Sequence, residues 1–387
     1  MITIVHIIGT LELGGAQTML WKLVTTMDPQ RFRHVVVCAF GAGPFAERLR
    51  AMGVPVHDLR MRHGNLPPGF RRRLLRVLNS PVATAKLVRL LQQVRPNLVV
   101  TWGYHVDMLG TVAALPSGVP VVWTVFGSFN PFIGRFAMTL NKAAVQLSRM
   151  PKAIVTDSEA GRKWHVHLGY RARQWHVIPS GFDIVQFAPN ARARDAVREE
   201  LGLPVETPLI GLVGRFNPVK GHQTFLEAAG LLAREDDSIH YLLVGPGVTP
   251  ENEELQTWIF ASGCRDRIHI LGERPDVARV TAALDIATCA SYSESSPQVV
   301  GEAMACGVPS VVTDVGDAAA MVADTGLVVP PRDAPAMVAA WRELLAIAPD
   351  QRRALGQRAR SRVEEHYSLT QIVARYEALS ESAASRA

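Results

Sequence analysis

Residues Ile286–Thr313 read IATCASYSESSPQVVGEAMACGVPSVVT. The runs Ile286–Cys289 and Ser310–Thr313 are short and apolar, of strand type, and the segment between them carries helix punctuation at both ends. Ser295 and Ser296 are N-cap residue types. Pro297 suits the first helical position, where its missing N–H would have had no partner in any case. Gly307 is a natural C′ residue, and Pro309 follows it. A strand, a helix and a strand in that order describe a unit whose two strands run parallel. The helix N-terminus opens beside Glu294, and such an end offers free N–H groups and positive charge to a phosphate. Glu302 lies inside the helix, with seven residues between it and Glu294.

The same alternation extends in both directions. Toward the N-terminus of this half, Leu209–Val213, His240–Val244 and Arg267–Leu271 are further strand candidates, and Leu327–Val329 follows downstream. The first half repeats the pattern with Ile2–Ile8, His34–Ala39, Val54–Asp58, Leu98–Thr101, Val119–Val125, Ala153–Thr156 and His176–Ile178. Near-continuous apolar strands separated by helices argue for α/β architecture, with parallel sheets covered on both faces. Between the two sets lies PSGFDIVQFAPNARA, rich in turn residues, and the domain boundary is placed there. The expected organisation is residues 1–183, residues 184–366, and a final helix from 367 to 387 with a polar tail. Two doubly wound, Rossmann-like domains facing across a cleft would bind ligands at the carboxyl ends of their strands.

The chain has 387 residues, enough for two such cores, and its 48% hydrophobic and 20% charged content is that of a globular protein. No apolar run reaches the roughly 18 residues that a spanning helix needs. The opening MITIVHIIGT has no basic n-region and reads as a buried first strand, so a cytoplasmic location is expected. The four cysteines are scattered without a C-x-x-C pair, which suits reduced core residues better than a metal site. Charge is unevenly spread. Residues 1–180 hold 22 Lys and Arg against 7 Asp and Glu, whereas the remainder holds 19 against 28. A basic first half suggests an anionic partner: a membrane surface, a phosphorylated substrate or nucleic acid.

Three further stretches carry chemistry. In GTLELGGAQTML, Gly14 and Gly15 permit a tight turn and close approach of backbone to a ligand, although the spacing is not a dinucleotide fingerprint. In GLVGRFNPVKGHQTFLEAA, Arg215 and Lys220 follow a strand end and can neutralise a diphosphate, the Arg as a fork and the Lys as a point charge. In LGERPDV, Arg274 could reach a nucleobase through its planar guanidinium or nearby backbone, though an ordinary loop explains it equally well.

With GGAQ, GRFNPVKGH, LGERPDV and above all SESSPQVVGEAMACGVPSVVTDVG in place, the chain resembles the retaining, nucleotide-sugar-dependent glycosyltransferases of group 1, the large GT-B family four. The resemblance implies a donor site in the second domain and an acceptor site in the first. It implies Glu302 on the ribose hydroxyls and Glu294 beside the donor sugar. It also implies that Arg215 and Lys220 hold the diphosphate, with Ser296, the backbone N–H groups of Gln298 and Val299, and Gly15 assisting. The donor would be a UDP-sugar or a GDP-sugar, carrying a hexose or N-acetylhexosamine. The family is usually metal-independent and needs no cofactor, and this chain has no D-x-D element for a metal–diphosphate. The family's chemistry implies transfer to a saccharide or lipid-linked acceptor, as in polysaccharide, lipopolysaccharide or glycolipid synthesis.

The chain departs from that pattern at one place. Many relatives carry a His after the strand Val119–Val125, and here the segment is WTVFGS with Phe126 in that position. His105, in TWGYHVDML near a neighbouring strand end, is a candidate substitute or a structural histidine. A non-catalytic nucleotide-sugar-binding subunit is therefore the alternative class of function. The stretch 60–89 clusters Arg60, Arg62, Arg71, Arg72, Arg73, Arg76, Lys86 and Arg89 among leucines. It reads as an amphipathic helix for an anionic membrane surface, which would make the protein peripheral on the inner face of the cell membrane. Residues 131–150 form a second apolar and basic candidate for the same role. A solvated basic face is the plainer alternative, and no nucleic-acid motif is present.

Overall fold

A computed structural model describes residues 1–12, 14–61, 70–127 and 142–385, apart from the side chains of residues 70–80. The chain divides into two compact units, Met1–Pro179 with Thr370–Ala387, and Ser180–Leu369.

The first unit is built on seven parallel strands: β1 Ile2–Ile8, β2 Phe32–Cys38, β3 Val56–Asp58, β4 Leu98–Trp102, β5 Val121–Thr124, β6 Ala153–Thr156 and β7 Trp175–Val177. Their order in the sheet is β3-β2-β1-β4-β5-β6-β7. In register, β1 lies between its neighbours with Ile4 beside His34 on β2 and Leu98 on β4. The strands are apolar almost throughout because helices cover both faces. On one face Val5, Ile7, Val37, Val99 and Trp123 pack with Leu87 and Leu91 of the helix Phe70–Val94. β3 and β5 are shorter than the apolar runs that announce them. Pro55 and Pro120 stand just before them, and each offers only its carbonyl to the neighbouring strand, to Val36 and Val99. A proline has no N–H with which to continue the ladder.

The last helix, Leu369–Ala384, belongs to the first unit from Thr370 onward. Arg31 binds its Glu377 at 3.0 Å and its Glu381 at 2.5 Å. Lys152 donates to the Ser382, Ala383 and Ser385 carbonyls at the helix end, where a cation meets the negative end of the dipole.

The second unit has six parallel strands: β8 Leu209–Val213, β9 His240–Val244, β10 Ile268–Gly272, β11 Ile286–Cys289, β12 Ser310–Thr313 and β13 Gly326–Val329. Their order is β10-β9-β8-β11-β12-β13. One face of the sheet packs Tyr241 and Leu243 against Phe225 and Trp341. The other face packs Leu242, Val244 and Val312 against Val300, Ala303 and Met304 of the helix Gln298–Ala305. Among the described residues no helix is long and apolar enough to cross a membrane. All four cysteines are buried and unpaired.

Candidate functional site

In a doubly wound sheet the chain winds outward in both directions from one pair of strands, and a crevice opens beyond their carboxyl ends. In the second unit that pair is β8 and β11. Gly214, Arg215 and Lys220 follow β8, and the loop Ala290–Pro297 follows β11. The sheet order alone therefore assembles the two sequence motifs at one place.

The two loops are joined directly. The Lys220 ammonium lies 2.6 Å from Glu294 Oε1, and Ser291 Oγ donates to the same oxygen at 2.7 Å. Burial opposes the charged ammonium, but the Glu294 carboxylate, helped by Cys289, outweighs it and raises the Lys220 pKa. Tyr292 N–H donates to the Val219 carbonyl at 2.7 Å, and the Tyr292 hydroxyl lies 2.8 Å from Thr224 Oγ1. The Arg332 guanidinium sits 4.6 Å from the centre of the Tyr292 ring. Arg215 is exposed in the same region, close enough for its charge to oppose protonation of Lys220.

Two glycines allow the close approach of backbones that holds this loop. A Cβ on Gly221, at φ +69°, would stand 1.9 Å from the Ala290 carbonyl oxygen. A Cβ on Gly316, at φ +58°, would stand 2.4 Å from the Glu294 carbonyl oxygen. Positive φ and no room for a side chain together leave glycine as the fitting residue.

The helix after Glu294 spans Gln298–Ala305, one residue shorter at its start than the sequence suggests. Pro297 is its N-cap, at φ −70° and ψ 110°, and its own side chain makes no cap bond. The physical reason is the extended ψ of Pro297, which leaves it outside the helical region. Ser295 and Ser296 therefore precede the cap. Ser296 Oγ is buried without a hydrogen-bond partner. The N–H groups of Gln298 and Val299 come before the first bond of the helix, from Val300 N–H to the Pro297 carbonyl. Glu302 lies half-buried one turn further on. At the other end Gly307 N–H donates to Met304 and Val308 N–H to Ala303, the double bond of a Schellman cap.

Arg274 is not drawn into this group. It donates to Glu200 Oε1 at 2.6 Å, and its Nε and Nη2 reach the two Asp276 oxygens at 2.8 and 2.9 Å. Arg279 joins the same two carboxylates. Its hydrogen bonds to Asp276 and Glu200 raise the Arg274 pKa, and Arg274 holds the Asp276 carboxyl well below its usual range. The guanidinium fork that a nucleobase reading requires is committed to this ion network.

In the first unit Gly14 caps the helix Gly15–Thr26 with extended backbone and no side-chain bond, and Gly15 is exposed. The equivalent switch pair there is β1 and β4. His105 stands exposed in the first turn of the helix Tyr104–Ala114, with the Phe40 ring edge-on at 6.2 Å. Phe126 packs edge-on against Trp102 at 5.6 Å. Most of the basic stretch 60–89 lies outside the described residues or side chains, including Arg62, Arg71, Arg72, Arg73 and Arg76, and so do residues 131–141. Lys86 and Arg89 are exposed while Ala83, Leu87 and Leu91 pack inward.

Sequence reasoning missed Ser291, Tyr292 and Arg332. Ser291 was within reach, since it precedes Glu294 by three residues in the same loop. The Tyr292–Arg332 contact has no local signal, because the strands β12 and β13 separate its members. Among the described residues no group of three or more His, Cys, Asp or Glu side chains could hold a metal ion.

Comparison with known proteins bears on both units. Residues 13–186 match the family model described as Glycosyltransferase Family 4, and residues 207–346 match the one described as Glycosyl transferases group 1. The D-inositol 3-phosphate glycosyltransferase of Xylanimonas cellulosilytica is 36% identical over 202 residues, covering 48% of this chain and 47% of the relative. The protein of the same name from Nocardiopsis dassonvillei is 35% identical over 225 residues, 52% of each chain. The chain thus spans about half the length of the curated relatives it matches. Among solved structures, Anabaena Alr3699/HepE in complex with UDP superposes with a TM-score of 0.84 at 23% identity, covering 98% of this chain and 100% of that one. WaaG, a glycosyltransferase involved in lipopolysaccharide biosynthesis, superposes at 0.72 with 16% identity, covering 98% and 99%. These last two likenesses concern the fold, which is GT-B. On its two matched domains and its two doubly wound sheets, the chain belongs to the group 1 glycosyltransferases of family 4.

Proposed function

We propose that this chain transfers a hexose or N-acetylhexosamine from a nucleoside-diphosphate sugar to a saccharide or lipid-linked acceptor, with retention and without a metal ion. The observation that carries the reading is the Lys220–Glu294 pair at the β8–β11 switch point, next to Arg215 and the start of Gln298–Ala305. Cations, free N–H groups and a buried hydroxyl on Ser296 form a set that suits a diphosphate. Relatives named as glycosyltransferases and solved neighbours holding UDP and UDP-glucose support a nucleotide-sugar donor, with UDP the first to test and GDP the second.

In this reading the second unit takes the donor and the first takes the acceptor. Glu302 holds the ribose hydroxyls, and Glu294 stands by the sugar. As the glycosyl–phosphate bond breaks, negative charge grows on the leaving diphosphate. Lys220, Arg215 and the N–H groups of Gln298 and Val299 are fixed in advance to meet it. The departing phosphate oxygen takes the acceptor proton, so neither Glu294 nor Glu302 needs to act as a base. The paired-carboxylate scheme of glycoside hydrolases is therefore not invoked.

Purified protein should be stabilised against heat by UDP or GDP, because a ligand of the folded state alone raises apparent stability. Radiolabelled sugar should then pass from the nucleotide to an acceptor or to water. Phe126, packed against Trp102 where many relatives carry a His, favours a second reading as a non-catalytic nucleotide-sugar-binding subunit. Binding without transfer or hydrolysis would select it. We also assign the 60–89 segment to anionic membrane surfaces, at the inner face of the cell membrane. Vesicles rich in phosphatidylglycerol should pellet the protein, and neutralising Arg71, Arg72 and Arg73 should abolish this; equal pelleting of that variant would remove the assignment.

A further inference from the structure

Gly301 stands in the middle of the helix Gln298–Ala305, where glycine is a poor choice for backbone entropy. Its neighbour accounts for it. A Cβ at Gly301 would lie 2.1, 2.2 and 2.6 Å from the Cζ, Cε2 and Cε1 atoms of Phe182. The Phe182 ring, wholly buried, thus occupies the space of the missing side chain.

Phe182 itself is held by its backbone. Its N–H donates to the Tyr367 carbonyl at 2.9 Å, and its carbonyl accepts from Leu369 N–H at 2.8 Å. These segments are the two places where the chain passes between the units, at Pro179–Ser180 and at Leu369–Thr370. The same stretch grips the far end of the helix. Arg360 donates to the Ala305 carbonyl at 2.6 Å and to the Phe187 and Ile184 carbonyls, each at 3.2 Å. The helix bearing Glu302 is therefore fastened in its middle and at its carboxyl end to the segment 182–187.

We propose that Phe182 is the positioning residue of the nucleotide site: its ring, seated in the gap at Gly301, sets where Glu302 and the N–H groups of Gln298 and Val299 stand. The inference rests on the nucleotide-sugar reading above. Protein interiors are close-packed, so a methyl group placed within about 2 Å of ring carbons cannot be absorbed in place. Contact at about 3.5–4 Å requires the helix or the ring to retreat by more than about 1 Å. A shift of about 1 Å in a positioned group can cost on the order of 100-fold in the step that depends on it.

Glycine 301 and Phe182 are tested as a complementary pair. Calorimetric titration with UDP and with GDP is run on the full chain and on G301A, F182L and F182L/G301A, alongside thermal melts. Leucine lacks the distal ring atoms that a Cβ at position 301 would meet. G301A should weaken nucleotide binding at least 10-fold and raise the donor KM while leaving the acceptor KM unchanged. F182L/G301A should recover to within about 3-fold of the unaltered protein, even where its melting temperature does not. If G301A fails to fold, F182L alone should bind 3- to 10-fold more weakly. Unchanged affinity in folded G301A or F182L, or affinity that follows only the loss of stability with no recovery in the double variant, overturns the proposal. Failure of the unaltered chain to bind either nucleotide overturns the functional reading and this proposal with it, an outcome separate from the others.

Discussion

The Lys220–Glu294 pair should show strong energetic coupling, and a cycle of Lys220→Met, Glu294→Gln and the double variant measures it. The charges are 2.6 Å apart, and their side chains are 23% and 13% exposed. At an effective dielectric of about 20, the gross attraction at that distance is roughly 6 kcal/mol. Removing two charges from water offsets much of it, and the residual exposure screens more. The expected coupling is about 1–3 kcal/mol. Each single variant should cost about 1.5–3 kcal/mol, because it strands a partner that is largely shielded from water. The double variant should cost clearly less than the two singles combined.

Urea unfolding at pH 7 reads these values, and the pH dependence adds a second check. The folded-state pKa of Lys220 is raised, chiefly by Glu294 acting against burial. Its contribution is fully present below the unfolded lysine value of about 10.4 and fades as pH rises through the folded value. The stability gap between the unaltered protein and Glu294→Gln should be flat from pH 7 to about 10 and narrow above that. Additive single variants, or a gap that widens with rising pH, would refute the reasoning. Nucleotide affinity separates the partners: Lys220→Met should weaken UDP binding about 10- to 100-fold, as expected for one charge-assisted contact.

Glu302→Ala should weaken nucleoside-diphosphate binding by about 10- to 100-fold in calorimetry, as carboxylate hydrogen bonds to the ribose are lost; unchanged affinity sinks the ribose assignment. Arg274→Ala should leave nucleotide affinity within about 3-fold while lowering stability by about 1 kcal/mol, because its partners in a partly exposed ion network lose one cation; a collapse of binding would return the guanidinium to the nucleobase. Asp107 is fully buried, with Thr101 Oγ1 donating to it at 2.5 Å, and burial pushes its carboxyl up to about 7. A raised carboxyl pKa makes the folded state lose stability between about pH 4 and 7, so Asp107→Asn should gain a few kcal/mol relative to the unaltered protein over that window. A flat difference in urea midpoints from pH 4 to 8 would contradict it.

Much of the fold could be read from local pattern. The runs Ile2–Ile8, Ala153–Thr156, Leu209–Val213, His240–Val244, Ile286–Cys289 and Ser310–Thr313 are strands with those same ends. Such limits are legible because apolar runs and turn residues act within a few positions of each other. The edges of β2, β4, β7, β10 and β13 moved by one or two residues; those at β3, β5 and Pro297 moved around prolines, whose missing N–H and fixed φ are also local. The reading of Pro297 as a helical residue overlooked its ψ, which the identity of a proline does not settle.

Contacts between distant residues are another matter. The family resemblance named Arg215, Lys220, Glu294 and Glu302, but nothing in residues 215–220 or 294–302 says that Lys220 is already paired to Glu294. Nor does LGERPDV disclose that Glu200, three strands earlier in the chain, binds Arg274. By itself the sequence determined the alternation of strands and helices, their parallel pairing, the open start of the helix after Glu294, and the family. Only the tertiary structure decided which loops share the β8–β11 switch point, which cation joins which carboxylate, and that the Phe182 ring fills the gap at Gly301. Periodicity, caps and turns arise from neighbours along the chain, whereas these contacts arise from the tertiary fold, which brings together residues as far apart as Lys220 and Glu294, separated by 74 positions.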